Sequence, residues 1–301
     1  MSFAKIERSL MSSFSFQPVI ILGAARSGTK MLRDVIAKHP VFDRVPYDIN
    51  FIWRLGNESV AHDELNPEIL TPRSIHRIQK KIAGFHKEGE FLIEKTVSNC
   101  LRVSFVDTIF ANAKYIFLLR DGCDVVESSY RQWVAPTDWS YLIEKARSFP
   151  FMDAPGYALK YLRNMLKNHE SGTHRTWGPR YKGIDEDVAT KDLFEVCALQ
   201  WFLSVEKARS SLEQIEPSRK LIVRYEDFVR QPRQQLVNIS AFLGIDSLPY
   251  ENHSVLSLIR PENIGKGWHR LTHHQQQMLR PLTRQVFAEL DCEAASGFRT
   301  V

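Results

Sequence analysis

One unit near the start of this chain does most to limit how it can fold. Pro18-Val-Ile-Ile-Leu22 is an apolar run of strand length, residues 23–28 form a glycine-bearing loop, and residues 30–38 place Met31, Leu32, Val35 and Ile36 on one helical side before stopping at His39-Pro40. Strand, glycine loop and helix in that order make half of a strand–helix–strand unit. The rest of the sequence repeats the alternation. Phe91-Leu-Ile93 and Lys114–Leu119 read as strands separated by a helix near residues 101–110, and residues 123–131 read as the helix that follows. Lys220–Arg224 is a fourth strand, followed by a helix over Pro232–Leu243 with Leu236, Ile239, Phe242 and Leu243 on one stripe. The expected fold is α/β, a P-loop-like central parallel sheet flanked by helices.

Two stretches fall outside that alternation. Residues 133–191 are rich in aromatics, Pro and Gly, with Trp139, Tyr141, Phe149, Phe151, Tyr157, Tyr161, Trp177 and Tyr181, and read as a largely helical insertion over the sheet. Residues 57–81 are polar and punctuated by Pro67 and Pro72. No repeat or linker marks a hard boundary, so the expectation is one domain over residues 1–301, with 1–17 as an N-terminal arm. Residues 19–22 and 115–119, the longest apolar stretches, are far shorter than the ~20 residues of a membrane helix. The N-terminus lacks a long apolar segment with a cleavage site, and Cys100, Cys123, Cys197 and Cys292 are dispersed without a CxxC pair. A cytoplasmic protein with reduced thiols is expected, which makes the sequons at Asn57, Asn238 and Asn252 chance matches. Forty Lys and Arg against 35 Asp and Glu leave a charge of +5, dispersed enough to suit a small polyanion and too weak for nucleic acid.

The loop itself reads Gly23-Ala-Ala-Arg-Ser-Gly-Thr-Lys30. A glycine loop between a buried strand and a helix points backbone N–H groups at an anion and adds the helix dipole. A nucleoside-triphosphate loop would end in Gly-Lys-Ser/Thr, with Lys reaching the terminal phosphates; here Thr29-Lys30 is reversed and the loop cation is Arg26. A structural turn is the plainer alternative. A second cluster, Arg120-Asp-Gly-Cys-Asp-Val-Val-Glu-Ser128, ends a strand in Arg and sets Ser about two helical turns along, a fork and a hydroxyl able to close on a second phosphate. Alone, Arg120 would equally serve an ion pair with Asp121 or Asp124.

Together the two motifs, with Arg and Ser eight apart in the second, resemble the sulfotransferases that use 3′-phosphoadenosine 5′-phosphosulfate (PAPS). Glu94-Lys95-Thr96, Val223-Arg-Tyr-Glu-Asp-Phe and Asn263-Ile-Gly-Lys-Gly-Trp268 extend the resemblance over residues 18–268. The Arg-Ser-Gly-Thr form, the His39-Pro40 ending and the position of Lys95 are closer to the bacterial and tyrosylprotein-type branch than to the cytosolic one. The resemblance implies in-line sulfuryl transfer to a hydroxyl or amine. Ala25, Arg26, Ser27, Gly28, Thr29 and Lys30 would hold the 5′-phosphosulfate, and Arg120 and Ser128 the 3′-phosphate. Tyr225 would lie near adenine, with Lys266 and Gly267 in a covering loop and Trp268 a further stacking candidate. Arg26 and Lys95 would stabilise charge in the transition state, and no metal is required.

The resemblance also implies an acidic base shortly after the first helix. Asp48 is the first choice, with Glu94 and His86 as alternatives and helix capping as its plainer role. The aromatic insertion would line a pocket for a carbohydrate, lipid-linked glycan or small metabolite, or form a satellite hydrophobic cluster. His269 and His273, four apart, would share a helical face, yet Arg270 stands where a zinc protease needs Glu. Two rival readings stay open: a P-loop nucleotide or metabolite kinase, and a non-catalytic adenosine-nucleotide-binding module.

Overall fold

The computed structural model describes residues 14–135, 176–247, 256–259 and 261–295. Its centre is a five-stranded sheet of β1 (Gln17–Leu22), β2 (Phe42–Arg44), β3 (Phe91–Glu94), β4 (Lys114–Leu119) and β5 (Lys220–Arg224), in the order β2-β3-β1-β4-β5. Every pairing is parallel. The described helices are α1 (Thr29–Ile36), α2 (Asn50–Trp53), α3 (Pro72–Ala83), α4 (Val103–Ile109), α5 (Gly122–Val134), α6 (Ile184–Thr190), α7 (Leu193–Glu213), α8 (Tyr225–Arg230), α9 (Pro232–Leu243), α10 (Lys266–Arg270) and α11 (His273–Ala295).

The sheet is buried on both faces, which is why its strands are continuous apolar runs rather than alternating ones. Ile20, Leu22, Tyr115, Phe117 and Leu119 face the larger cluster, packed with α3, α4, α5 and α7. Val19, Ile21, Ile116 and Leu118 face the opposite cluster with α1, α8 and α9. The strand order reverses beside β1, because the chain crosses from β3 on one flank to β4 on the other. Such a switch point opens a crevice at the carboxyl ends of the strands.

Several expectations need correction. The polar stretch 57–81 hides the start of α3, with Pro72 in its first turn, Thr71 and Ser74 in a reciprocal capping box, and Ile75, Ile78 and Ile82 buried. Residues 97–101 are a 3-10 turn, and α4 begins only at Val103. Trp133 belongs to α5, not to an insertion, and Tyr181 is buried against Leu101, Ile184 and Val196. Trp139, Tyr141, Phe149, Phe151, Tyr157 and Tyr161 lie outside the described residues. Gln17 already belongs to β1, and Phe14 and Phe16 of the expected arm pack on the core, Phe14 with its ring 5.3 Å from that of Phe110.

Candidate active site

The five strands deliver their successors to one edge of the sheet. The loop 23–28 follows β1, Lys95 follows β3, Arg120 follows β4 and Tyr225 follows β5. A cavity of about 850 Å³ opens there, and its wall includes residues from all four segments.

The first wall is the glycine loop. Ser27 donates from both N and Oγ to the Ala24 carbonyl, at 3.1 and 2.6 Å, which curls the loop. Arg26 takes a left-handed φ of 72°, and Gly28 a φ of 98°. Gly28 is needed there for a second reason: a Cβ would stand 2.7 Å from the Tyr225 ring. Ser27 is buried beneath the loop and does not line the cavity, whereas Ala25, Arg26, Gly28, Thr29 and Lys30 do. The Lys30 ammonium turns along α1 to Asp34 at 2.8 Å, an exposed i,i+4 pair.

The second wall joins the other cationic motif to the first. Arg26 Nε donates to Ser128 Oγ at 3.0 Å, and Arg120 Nη1 donates to the Arg26 carbonyl at 3.2 Å. The Arg120 guanidinium lies 4.2 Å from the centre of the Tyr225 ring. Its Nη2 donates to the carbonyl of Asn263 at 2.6 Å and to Asp124 Oδ2 at 3.3 Å, while its buried Nε has no hydrogen-bond partner. Arg120 and Ser128 both line the cavity, a cationic fork and a hydroxyl suited to an anion. Burial raises the Tyr225 hydroxyl above its ordinary pKa, with Arg120 opposing.

The third wall is the pair Asp48–Lys95. Lys95 Nζ donates to Asp48 Oδ2 at 2.7 Å, and the Val97 N–H to Oδ1 at 3.1 Å. Lys95 is 8% exposed and Asp48 39%, so the carboxylate faces the cavity with its counter-charge behind it. Further round, Asn50, Ser98, Trp177 and Gly178 complete the rim. Asp63 fixes that side from below: it accepts from Asn50 Nδ2 and Arg54 on Oδ1, and from Ser98 Oγ and the Arg180 N–H on Oδ2.

The family model described as "Sulfotransferase family" matches residues 18–173 and 162–249. The chain belongs to the sulfotransferase family. Its members are enzymes of sulfuryl transfer. The fold is similar to the sulfotransferase domain from the curacin biosynthetic pathway, at 18% identity, covering 92% of this chain and 98% of that one with a TM-score of 0.54. It is also similar to sulfotransferase STF1 from Mycobacterium tuberculosis, at 10% identity, 95% and 80% coverage and a TM-score of 0.50. Among curated proteins, an uncharacterized protein from Aquifex aeolicus is 24% identical over 210 residues. That match takes in 62% of this chain and spans 26% of the relative's length.

For this sulfotransferase, the structure gathers Arg26, Thr29, Arg120, Ser128, Tyr225, Lys266, Gly267, Asp48 and Lys95 round one cavity. The two alternatives for the base do not line that cavity. His86 precedes β3, at the opposite edge of the sheet, where it stacks on Phe16 at 4.8 Å and contacts the Gly89 carbonyl at 2.9 Å. Glu94 is buried below the cavity, accepting from the Thr96 hydroxyl and from Asn99 Nδ2. Burial, with Asp48 adding repulsion, raises its pKa to about 7. Trp268 packs on the core under Arg280 and is not in the wall. His269 lies in the last turn of α10 and His273 opens α11, so they do not share a helix. Sequence reasoning named Trp177 among the pocket-lining aromatics but missed Asn50 and Asp63, whose contacts join segments up to 117 positions apart.

Proposed function

We propose that the protein transfers the sulfuryl group of PAPS to a hydroxyl, or an amine, of a carbohydrate, a lipid-linked glycan or a small metabolite. One observation carries the reading: two cationic phosphate-binding motifs and an acid–lysine pair converge on a single cavity at the switch point. Arg120 and Ser128, both in the cavity wall, hold the 3′-phosphate. The N–H groups of residues 28–30 face the 5′-phosphosulfate, while Ser27, expected in this role, instead braces the loop from beneath through Ala24; Tyr225 lies by the adenine, and Lys266 and Gly267 cover it. Asp48 takes the acceptor proton as attack proceeds, and Lys95 counters the charge that builds on the sulfuryl oxygens. Arg26, bonded to Ser128, bridges the two phosphate sites. Trp177 offers an aromatic face to the acceptor.

The loop cations and N–H groups supply the electrostatic stabilisation, so the reaction needs no metal. Buried free thiols at Cys100, Cys123 and Cys197 support a reducing, cytoplasmic setting. No described helix is long and apolar enough to cross a membrane. The kinase reading loses support from Lys30, whose ammonium is held by Asp34 instead of facing the cavity's phosphate end.

The test is calorimetric titration with 3′-phosphoadenosine 5′-phosphate (PAP), ADP and magnesium–ATP. Wild type should bind PAP tightest and without magnesium. Arg120→Ala should weaken PAP by at least about tenfold, the scale of one lost charged hydrogen bond, and ADP far less. A preference for magnesium–ATP would sink the reading.

A further inference from the structure

Asp124 sits in the first turn of α5 with its side chain 2% exposed. A carboxylate there would ordinarily serve the open N–H groups of its own helix. That task is already done. Asp121, the N-cap, accepts from the N–H groups of Cys123 and Asp124 at 2.9 and 3.3 Å. The Asp124 carboxylate is thereby released to reach another part of the chain.

It reaches the segment 263–267, some 140 residues on. Oδ1 accepts from the Gly267 N–H at 2.6 Å, and Oδ2 from the Gly265 N–H at 2.8 Å. The same Oδ2 accepts from Arg120 Nη2, which also donates to the Asn263 carbonyl. Both glycines are required by this grip. Gly265 has a left-handed φ of 75°, and a Cβ on Gly267 would lie 2.3 Å from the Cys123 carbonyl oxygen. A second ion pair, Arg270 with Glu127 at 3.4 Å, ties α10 to α5 one turn further along.

We infer that Asp124 is a positioning residue for the donor site: it anchors residues 263–267 on α5 and holds them in register with Arg120 before any ligand arrives. The inference rests on the donor-site reading above. Its physical content is preorganisation. A rim already held by two charge-assisted backbone bonds does not have to be ordered when the donor binds, and the affinity retains what that ordering would cost. It also accounts for the Gly-Lys-Gly spacing, since Lys266 reaches the cavity from between two N–H groups clamped by one carboxylate.

The experiment is hydrogen exchange followed by mass spectrometry over a peptide covering 261–271, in the full chain, with and without PAP. It is run beside calorimetric PAP titration and thermal melts. Asp124→Asn leaves one acceptor oxygen and turns an amide NH₂ toward a donor; Gly267→Ala keeps the carboxylate and pushes the segment off sterically. Both variants should exchange faster at 261–271 in the free protein, leave β1 and β4 protected, and bind PAP at least about tenfold more weakly. Unchanged exchange in both variants, or PAP binding within about twofold of wild type, overturns the inference. Should Asp124→Asn fail to fold, Gly267→Ala decides alone. A wild type that binds no PAP would instead remove the donor-site reading, while the exchange comparison would still decide whether Asp124 anchors the segment.

Discussion

Asp48 shows how little a single residue's type determines and how much its neighbours do. Loop aspartates commonly cap helices, but here both oxygens are taken by Lys95 and the Val97 N–H, across 47 and 49 positions of chain. The exposed side of the carboxylate meets the cavity beside the glycine loop. As the proposed general base it should matter to turnover and not to donor affinity. Asp48→Asn should lower kcat by about 100-fold or more and leave the PAP dissociation constant within about threefold, measured by steady-state kinetics and calorimetry. Near-wild-type turnover in that variant would exclude Asp48 as the base. Asp48 was nominated by the family resemblance, which implies an acidic base shortly after the first helix. The fold puts Asp48 in the cavity wall and Glu94 and His86 outside it, a difference of position that residue type does not reveal.

At the scale of elements, legibility followed locality. The strands Lys114–Leu119 and Lys220–Arg224 and the helix Pro232–Leu243 coincide with their sequence expectations, since each is an apolar pattern closed by its own turn signals. The edge strand β2 went unread: it has three residues, and its place depends on Asp43 accepting from the N–H groups of Lys87, Glu88 and Gly89. The 21-residue α7, which packs against α5 and α11, was also unassigned. In α3, Pro72 reads as punctuation yet serves as a helix start, where its missing N–H costs nothing. The capping box beside it gives a clean test. Thr71→Ala should reduce unfolding free energy by about 1 kcal/mol in denaturant titration, with PAP affinity unchanged. An effect on affinity would mean that α3 is coupled to the donor site.

Across the whole molecule, the site carries a stability cost that pH reveals. Glu94 is wholly buried with its pKa at about 7, against 4.5 for the ordinary group. The folded chain therefore holds this proton more tightly than the unfolded chain. The associated stability is complete below about pH 4.5 and is lost as pH rises through about 7, an effect of up to roughly 3 kcal/mol. Asp34, Asp43 and Asp63 are lowered and act in the opposite sense, but only in more acid solution. Between pH 5 and 8, Glu94→Gln should gain stability relative to wild type as pH increases, read as the difference between two urea titrations at each pH. A pH-independent difference would place the proton elsewhere. Sequence alone determined the strand–loop–helix unit, the four longer strands and the two cationic motifs proposed to bind phosphate. Those signals lie within ten or twenty residues and reflect backbone geometry that a few side chains dictate. Tertiary structure decided the rest: which acid meets Lys95, which carboxylate holds the loop at 263–267, and which aromatics are core. Those outcomes depend on burial and on contacts between segments far apart in the chain, 47 positions for Asp48 with Lys95 and 143 for Asp124 with Gly267, and no local pattern encodes them.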